Sequence, residues 1–138
     1  MEMTENDKKK EYLWGYRNSL CRQKMLEDEI RELRLNKMVP SMVQDGMPHG
    51  SGGGDLSGYA AKLDALLQDL EREVNAGIDL RREIVSKIEQ LPNETERLLM
   101  RYRYIHGLKW EEIAVKMEYS WKQIHRIHAK ALDNFKMT

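Results

Sequence analysis

Apolar side chains recur at steps of three and four residues along two long stretches of the chain. The first stretch predicts one amphipathic helix from about Glu5 to Lys37, because its apolar stripe keeps to one face while charges occupy the others. The second predicts a helix that runs to Leu91, where Pro92 ends it. The first stripe consists of Leu13, Tyr16, Leu20, Gln23, Leu26, Ile30, Leu33 and Lys37, of which Gln23 and Lys37 are polar. The second stripe consists of Leu56, Tyr59, Leu63, Leu66, Leu70, Val74, Gly77, Leu80, Ile84, Ile88 and Leu91.

A segment rich in glycine separates the two stretches. Residues 39–58 contain two prolines and six glycines, which is typical of a loop, and we expect residues 50–54 to be its most mobile part. Residues 1–91 are therefore predicted to form a long, coiled-coil-like helical hairpin. Either the two stripes bury each other, or the hairpin is too thin to cover both and the remaining apolar surface makes a homodimer or higher oligomer.

The last third of the chain carries closely spaced signals for helix starts and stops. Asn93 and Glu96 predict a capping box that opens a helix, and this helix is expected to end at Gly107. A short helix is predicted over 110–117. After a tight connection, a final helix is predicted from 121 to about 135, so that the fold class is all-α.

The final helix has an apolar inner face and a basic outer face. Ser120 and Gln123 predict a second capping box at its start. The side chains expected to point inward are Ile124, Ile127, Ala131 and Leu132, and those left outside are Lys122, Gln123, His125, Arg126, Ala129 and Lys130. A short helix, a tight turn and a capped basic helix are the parts of a helix-turn-helix, so residues 92–138 are predicted to bind DNA.

The charge distribution supports a nucleic-acid partner, although the whole chain has a formal net charge of zero. Residues 92–138 hold nine Lys and Arg against six Asp and Glu, so the remaining residues must hold 14 against 17. The net charge of +3 at the C-terminal end predicts salt-sensitive binding to double-stranded DNA. The alternative is that these cations form an ordinary solvated helix face.

Each candidate contact has a chemical reason. Arg126 suits guanine and Gln123 suits adenine, although the capping box can occupy Gln123 instead. Lys122 is expected to contribute mainly charge. Trp110 is expected to pack in the small core. The predicted DNA-binding residues are Trp121, Lys122, Gln123, His125, Arg126, Lys130 and Lys109, with the last two, like Lys136, placed for phosphate contacts.

Several other classes of function find no support in the sequence. His125 and His128 lie three residues apart, but no carboxylate or Cys is placed to complete a metal site, and we expect no cofactor. No catalytic spacing is present, which argues against an enzyme. The first twelve residues are charged where a signal peptide is apolar, and no long apolar window exists, so the chain is expected to stay in the cytoplasm. Cys21 stands alone and forms no internal disulfide.

The C-terminal third resembles region 4 of bacterial sigma factors, which recognises promoters. The resemblance rests on Leu91-Pro92, residues 98–104, residues 107–114, Tyr119-Ser120 and Ile124. With the long helices and Gly-rich segment before it, the chain is similar to the ArpU/RinA-type transcriptional regulators of phages and prophages. That resemblance implies a regulator of phage genes that contacts promoter DNA and changes the recruitment of RNA polymerase.

Two positions depart from that pattern. Glu118 stands where the family usually has Gly in the turn, and Lys109 stands where it usually has a Thr or Ser cap. A left-handed backbone at Glu118 would cost about 1 kcal/mol or more. The alternatives to a regulator are a protein–protein interaction module that binds polymerase or a phage component, and a DNA-packaging adaptor.

Overall fold

The computed structural model describes residues 2–38 and 52–138, and every regular element in these two ranges is helical. The elements are α1 (Glu5–Met38), α2 (Gly52–Glu89), α3 (Glu94–Met100), a π-helical segment (Arg101–Ile105), α4 (Trp110–Met117) and α5 (Trp121–Asn134). The all-α fold class predicted from the sequence is confirmed. No helix in the described ranges is long and apolar enough to cross a membrane.

Contacts between residues divide the chain into two compact units. The core unit consists of Met1–Ser19 together with Gly77–Thr138, and the hairpin unit consists of Leu20–Ala76. This division differs from the boundary at residue 91 that the sequence suggests. The reason is that side chains of α1 and α2 share one apolar core with the C-terminal helices, so the end of a helix is not the end of a packed unit.

Helices α1 and α2 run antiparallel. In the core unit, the Tyr12 hydroxyl donates to Oε1 of Glu83 at 2.6 Å, and in the hairpin unit Nε of Arg22 donates to Oε1 of Glu73 at 2.7 Å. The residue number falls along α2 as it rises along α1. The long N-terminal helical hairpin predicted from the two apolar stripes is confirmed.

The core of the core unit is apolar and draws on every helix. Its fully or almost fully buried members are Leu13, Ile84, Ile88, Leu91, Leu99, Met100, Tyr104, Ile105, Ile113, Ile124, Ala131, Leu132 and Phe135. Burying a side chain of this size contributes roughly 1.5–3 kcal/mol. The short helices α3 to α5 are therefore held by packing, since helices of this length are marginal in isolation.

The predicted loop over 39–58 is wrong at its C-terminal end. Residues 52–58 belong to α2, and the rest of the predicted loop, with the first part of the segment expected to be most mobile, lies outside the described residues. Each Gly in a helix costs about 1 kcal/mol relative to Ala, which is the signal that favoured a loop. Extending an existing helix adds one hydrogen bond per residue, so a strong following helix can offset that cost.

The helix that begins after Asn93 changes its form part of the way along. The Asn93 side chain accepts a hydrogen bond from N of Glu96 at 3.0 Å, as predicted, but the Glu96 carboxylate accepts from Nδ2 of Asn134 at 3.1 Å instead of closing the box. After Met100 the helix widens into the π-helical segment. Gly107, where the helix was predicted to end, adopts a left-handed conformation with φ of 69°.

Candidate nucleic-acid interface

The turn between α4 and α5 is a Schellman motif. N of Tyr119 donates to O of Ala114 at 3.1 Å, and N of Glu118 donates to O of Val115 at 3.3 Å. Glu118 occupies the left-handed position with φ of 59° and ψ of 41°, where Gly is usual. The turn therefore has the geometry of a tight helix–helix connection, and Glu118 carries the strain of a left-handed backbone at a residue other than Gly.

Helix α5 begins with a complete capping box. N of Gln123 donates to Oγ of Ser120 at 3.1 Å, and Oε1 of Gln123 accepts from N of Ser120 at 2.9 Å. The box predicted from the sequence is confirmed. It also engages the amide oxygen of Gln123, so this side chain has to leave the box before it can bind adenine through both its oxygen and its nitrogen.

The start of α4 has only half of such a box. Oε1 of Glu112 accepts from N of Lys109 at 3.1 Å. The ammonium group of Lys109 has no acceptor atom for the first amide groups of α4. This exposed lysine at the start of α4 is therefore available for an anion outside the protein.

The two faces of α5 differ as the sequence predicts. The predicted inner residues Ile124, Ala131 and Leu132 are buried, and Ile127 is half-buried. The predicted outer residues that are exposed are Lys122, Gln123, Arg126, Ala129 and Lys130. Three cations thus lie at positions 122, 126 and 130, four residues apart, which places them on one side of the helix.

His125 is the predicted contact residue that lies apart from this open face. Its ring centroid is 3.9 Å from that of Trp121 and 4.8 Å from that of Trp110. Its Nε2 atom is buried and has no hydrogen-bond partner. The ring therefore works as a spacer between two indoles, and its position does not favour a contact with a base edge.

The two tryptophans of the helix-turn-helix have different environments. Trp110 is half-buried and packs against the core, as expected, with its ring 4.6 Å from that of His128. Trp121, the first residue of α5, is 58% exposed. Of the two, only Trp121 offers an open aromatic face next to the basic residues of α5.

Arg103 links α1 to α4, and no pattern in the sequence marks this residue. Its guanidinium lies 4.9 Å from the ring centroid of Trp14 and 4.4 Å from that of Trp110. Its Nη1 also donates to O of Leu108 at 3.0 Å. Such contacts join side chains that are far apart in the sequence, so helical periodicity gives no signal for them.

A buried polar pair joins the π-helical segment to α5. Oη of Tyr104 lies 2.7 Å from Nε2 of His128. Burial lowers the pKa of His128 to about 4 and raises the pKa of Tyr104 to about 12, so both groups are neutral near pH 7. The neutral imidazole nitrogen can then accept a hydrogen bond from the tyrosine hydroxyl. This pair holds α5 in place from its buried side.

The N-terminal half of α1 also holds the C-terminal helices. Nζ of Lys9 donates to O of Leu132 at 2.8 Å, and Nδ2 of Asn6 donates to Oδ1 of Asp133 at 2.9 Å. Nη1 of Arg17 donates to O of Ile105 at 3.0 Å. Side chains from α1 thus donate to carbonyl groups near the ends of two C-terminal elements, and O of Leu132 also accepts from N of Phe135 at 3.2 Å.

The described ranges contain no group of three His, Cys, Asp or Glu side chains that could hold a metal ion. A search of curated proteins and of solved structures finds no match to this chain. A family match does exist, over residues 32–136, to the family described as "Protein of unknown function (DUF1492)". Because this match covers most of the chain, the protein belongs to the DUF1492 family.

Proposed function

We propose that this protein is a DNA-binding transcriptional regulator of phage or prophage genes that places the start of α5 in the major groove of DNA. The observation that carries the proposal is a capped 14-residue helix with a buried inner face and exposed cations at Lys122, Arg126 and Lys130, preceded by a short helix and a tight turn. This is the arrangement of a helix-turn-helix. A DNA partner implies a location in the cytoplasm.

The residues of this face have separate roles in the proposal. Arg126 recognises guanine through two hydrogen bonds, because its guanidinium is exposed in the second turn of α5. Lys122 and Lys130 on the same helix, with Lys109 at the start of α4, contact phosphates and supply the salt dependence. The resemblance to sigma region 4 and to ArpU/RinA-type regulators supports an effect of binding on RNA polymerase recruitment.

DNA binding is tested with duplexes selected from a random library by the full-length chain. Lys122→Ala with Arg126→Ala is expected to weaken binding at least tenfold and to reduce the slope of log affinity against log salt by about one, because only Lys122 of the two contacts a phosphate. The matched control is Lys24→Ala with Arg82→Ala, which removes the same charge from exposed positions on α1 and α2. Absence of binding at low salt, or an equal loss in the control, would contradict the proposal.

We also propose that the chain self-associates through the hairpin unit, which would place two copies of α5 on one DNA. A groove of about 430 Å³ runs along this unit. Its apolar lining residues are Ile30, Leu35, Leu67 and Leu70. Leu35 and Leu67 are exposed, at 51% and 41%. Glu27, Arg31 and Arg34 line the same groove, so the surface carries both signs of charge and suits a second copy of itself.

Self-association is tested by sedimentation velocity of the full chain at micromolar concentrations. The wild-type chain is expected to sediment as a dimer or larger species, and Leu67→Glu as a monomer, because a charge in the groove would have to be desolvated. Ile78→Glu is the control, since Ile78 is 51% exposed on α2 outside this groove. A wild-type monomer, or equal dissociation of the control, would remove this part of the proposal.

A further inference from the structure

Large apolar side chains are exposed around the turn that precedes α5. Val115 is 78% exposed and Trp121 58% exposed, with Tyr119 between them at 38%. These residues lie next to the cations of α5. At such exposed positions, polar side chains would be solvated without exposing apolar surface to water. Exposed apolar side chains next to polar ones mark surfaces that contact a partner. The neighbouring cations favour a negatively charged partner that also presents an apolar group.

Trp121 is held in position by a stack of rings. Its ring lies 3.9 Å from that of His125, which lies 4.8 Å from that of Trp110. The other side of this stack is the Arg103 guanidinium, 4.4 Å from the Trp110 ring and bonded to O of Leu108. An exposed side chain that is already fixed loses little conformational freedom when it binds a partner.

Double-stranded DNA presents one apolar group in its major groove, the C5-methyl group of thymine. Trp121 is the first residue of α5 and is followed at once by the exposed Lys122, with Arg126 one turn further on. A helix that enters the groove with its N-terminus first brings its first residue to the base edges. A phosphate-rich partner matches these neighbouring cations better than an apolar protein surface does.

We propose that Trp121 reads thymine by packing against its C5-methyl group, which makes the binding site thymine-dependent at one or two positions. This inference rests on the proposed DNA-binding function. It also gives the His125 ring, whose buried Nε2 has no hydrogen-bond partner, a role, since the ring supports the indole of Trp121 from behind and keeps it facing outward.

The test compares thymine with uracil, which differs only in lacking the methyl group. In a duplex selected from a random library by the full chain, each thymine is replaced in turn by deoxyuridine, and affinity is measured by fluorescence anisotropy. For the wild-type chain, uracil at one or two positions is expected to weaken binding about fourfold, the value for one buried methyl group. Trp121→Ala is expected to bind both duplexes equally, and Trp121→Phe to retain part of the difference.

Two controls separate this inference from the function on which it rests. Leu98→Ala changes an apolar residue that is 43% exposed on α3 and is expected to keep the fourfold difference. Lys122→Ala with Arg126→Ala is expected to weaken binding to both duplexes and preserve their ratio.

If the wild-type chain binds DNA but ignores every uracil, or if Trp121→Ala still discriminates, the inference is wrong while DNA binding stands. If Trp121→Ala binds DNA as the wild type does, the indole serves another partner, such as a protein. Failure of the wild-type chain to bind any duplex would remove both proposals.

Discussion

His128 is buried in a place where the charged form of its ring is unfavourable. Burial lowers its pKa from 6.5 to about 4, and Tyr104 supplies a hydroxyl at 2.7 Å that suits the neutral ring. In the unfolded chain the imidazole takes up a proton near its ordinary pKa. Between about pH 6.5 and pH 4 the unfolded state therefore binds more protons than the folded state does.

Lowering the pH through this window is expected to destabilise the protein, by about 3 kcal/mol near pH 4. The contribution of neutral His128 to the free energy of unfolding is fully present above pH 6.5. The measurement is urea unfolding at several values between pH 7.5 and pH 4.5. His128→Gln is expected to give a shallower loss, whereas His106→Gln, which changes an exposed ring, is expected to follow the wild type. An unchanged slope in His128→Gln would contradict this account.

Glu118 holds a left-handed backbone that suits Gly better than any other residue. Glu118→Gly is expected to stabilise the protein by about 1 kcal/mol, because the contact between Cβ and the backbone is removed at a φ of 59°. Lys116→Gly, at an exposed position inside α4, is the control and is expected to destabilise by a similar amount. Thermal unfolding of both variants measures the difference, and a loss of stability in both would contradict the prediction.

Individual residues show both the reach and the limit of sequence reasoning. Lys122 and Arg126 are exposed as helical periodicity predicts, because the pattern of one helix is enough to assign its faces. The same pattern put His125 on the outer face, whereas its side chain is half-buried because the indoles of Trp121 and Trp110 lie against the ring. Whether these residues bind DNA stays a prediction.

At the scale of the element, the start of α5 depends on its cap. Ser120→Ala is expected to cost about 1 kcal/mol, since it leaves N of Gln123 without its acceptor at 3.1 Å. The control is Ser57→Ala at an exposed position within α2, which is expected to be neutral or slightly stabilising. Equilibrium urea unfolding compares the two. Equal effects would mean that the capping hydrogen bond contributes nothing.

The limits of α4 and the start of α5 were predictable from the sequence, whereas the start of α2 and the π-helical segment were not. The limits of α4 and the start of α5 were placed correctly from Ser120 and the two tryptophans that open these helices. The residue types of the π-helical segment do not distinguish it from an α-helix. It forms where Nη1 of Arg17 from α1 donates a hydrogen bond to O of Ile105. Glycines at 52–54 pointed to a loop because local propensity takes no account of the helix that follows.

At the scale of the whole molecule, the helix-turn-helix does not have a core of its own. Leu13 of α1 and Ile84 and Ile88 of α2 are completely buried in the same cluster as Ile124 of α5. The sequence suggested a DNA-binding domain limited to 92–138. The core unit instead includes the first part of α1 and the last part of α2, since three short helices offer too little apolar surface to fold alone.

Leu13→Ala is therefore expected to destabilise the helix-turn-helix although it lies more than 90 residues away in the sequence. The cavity it leaves should cost about 3 kcal/mol. Met25→Ala, at a position 53% exposed in the hairpin unit, is the control and should change stability by less than about 0.5 kcal/mol. Urea unfolding followed by far-ultraviolet circular dichroism measures both. A Leu13→Ala protein as stable as the control would mean that the shared core is unimportant.

The tryptophans of the chain are unevenly distributed. All three, Trp14, Trp110 and Trp121, belong to the core unit, and the hairpin unit at Leu20–Ala76 has none. Indole fluorescence therefore reports the unfolding of the core unit and is blind to the rest, whereas dichroism of the helices reports both. Recording the two signals on one sample separates local opening of the hairpin unit from global unfolding, without any added label.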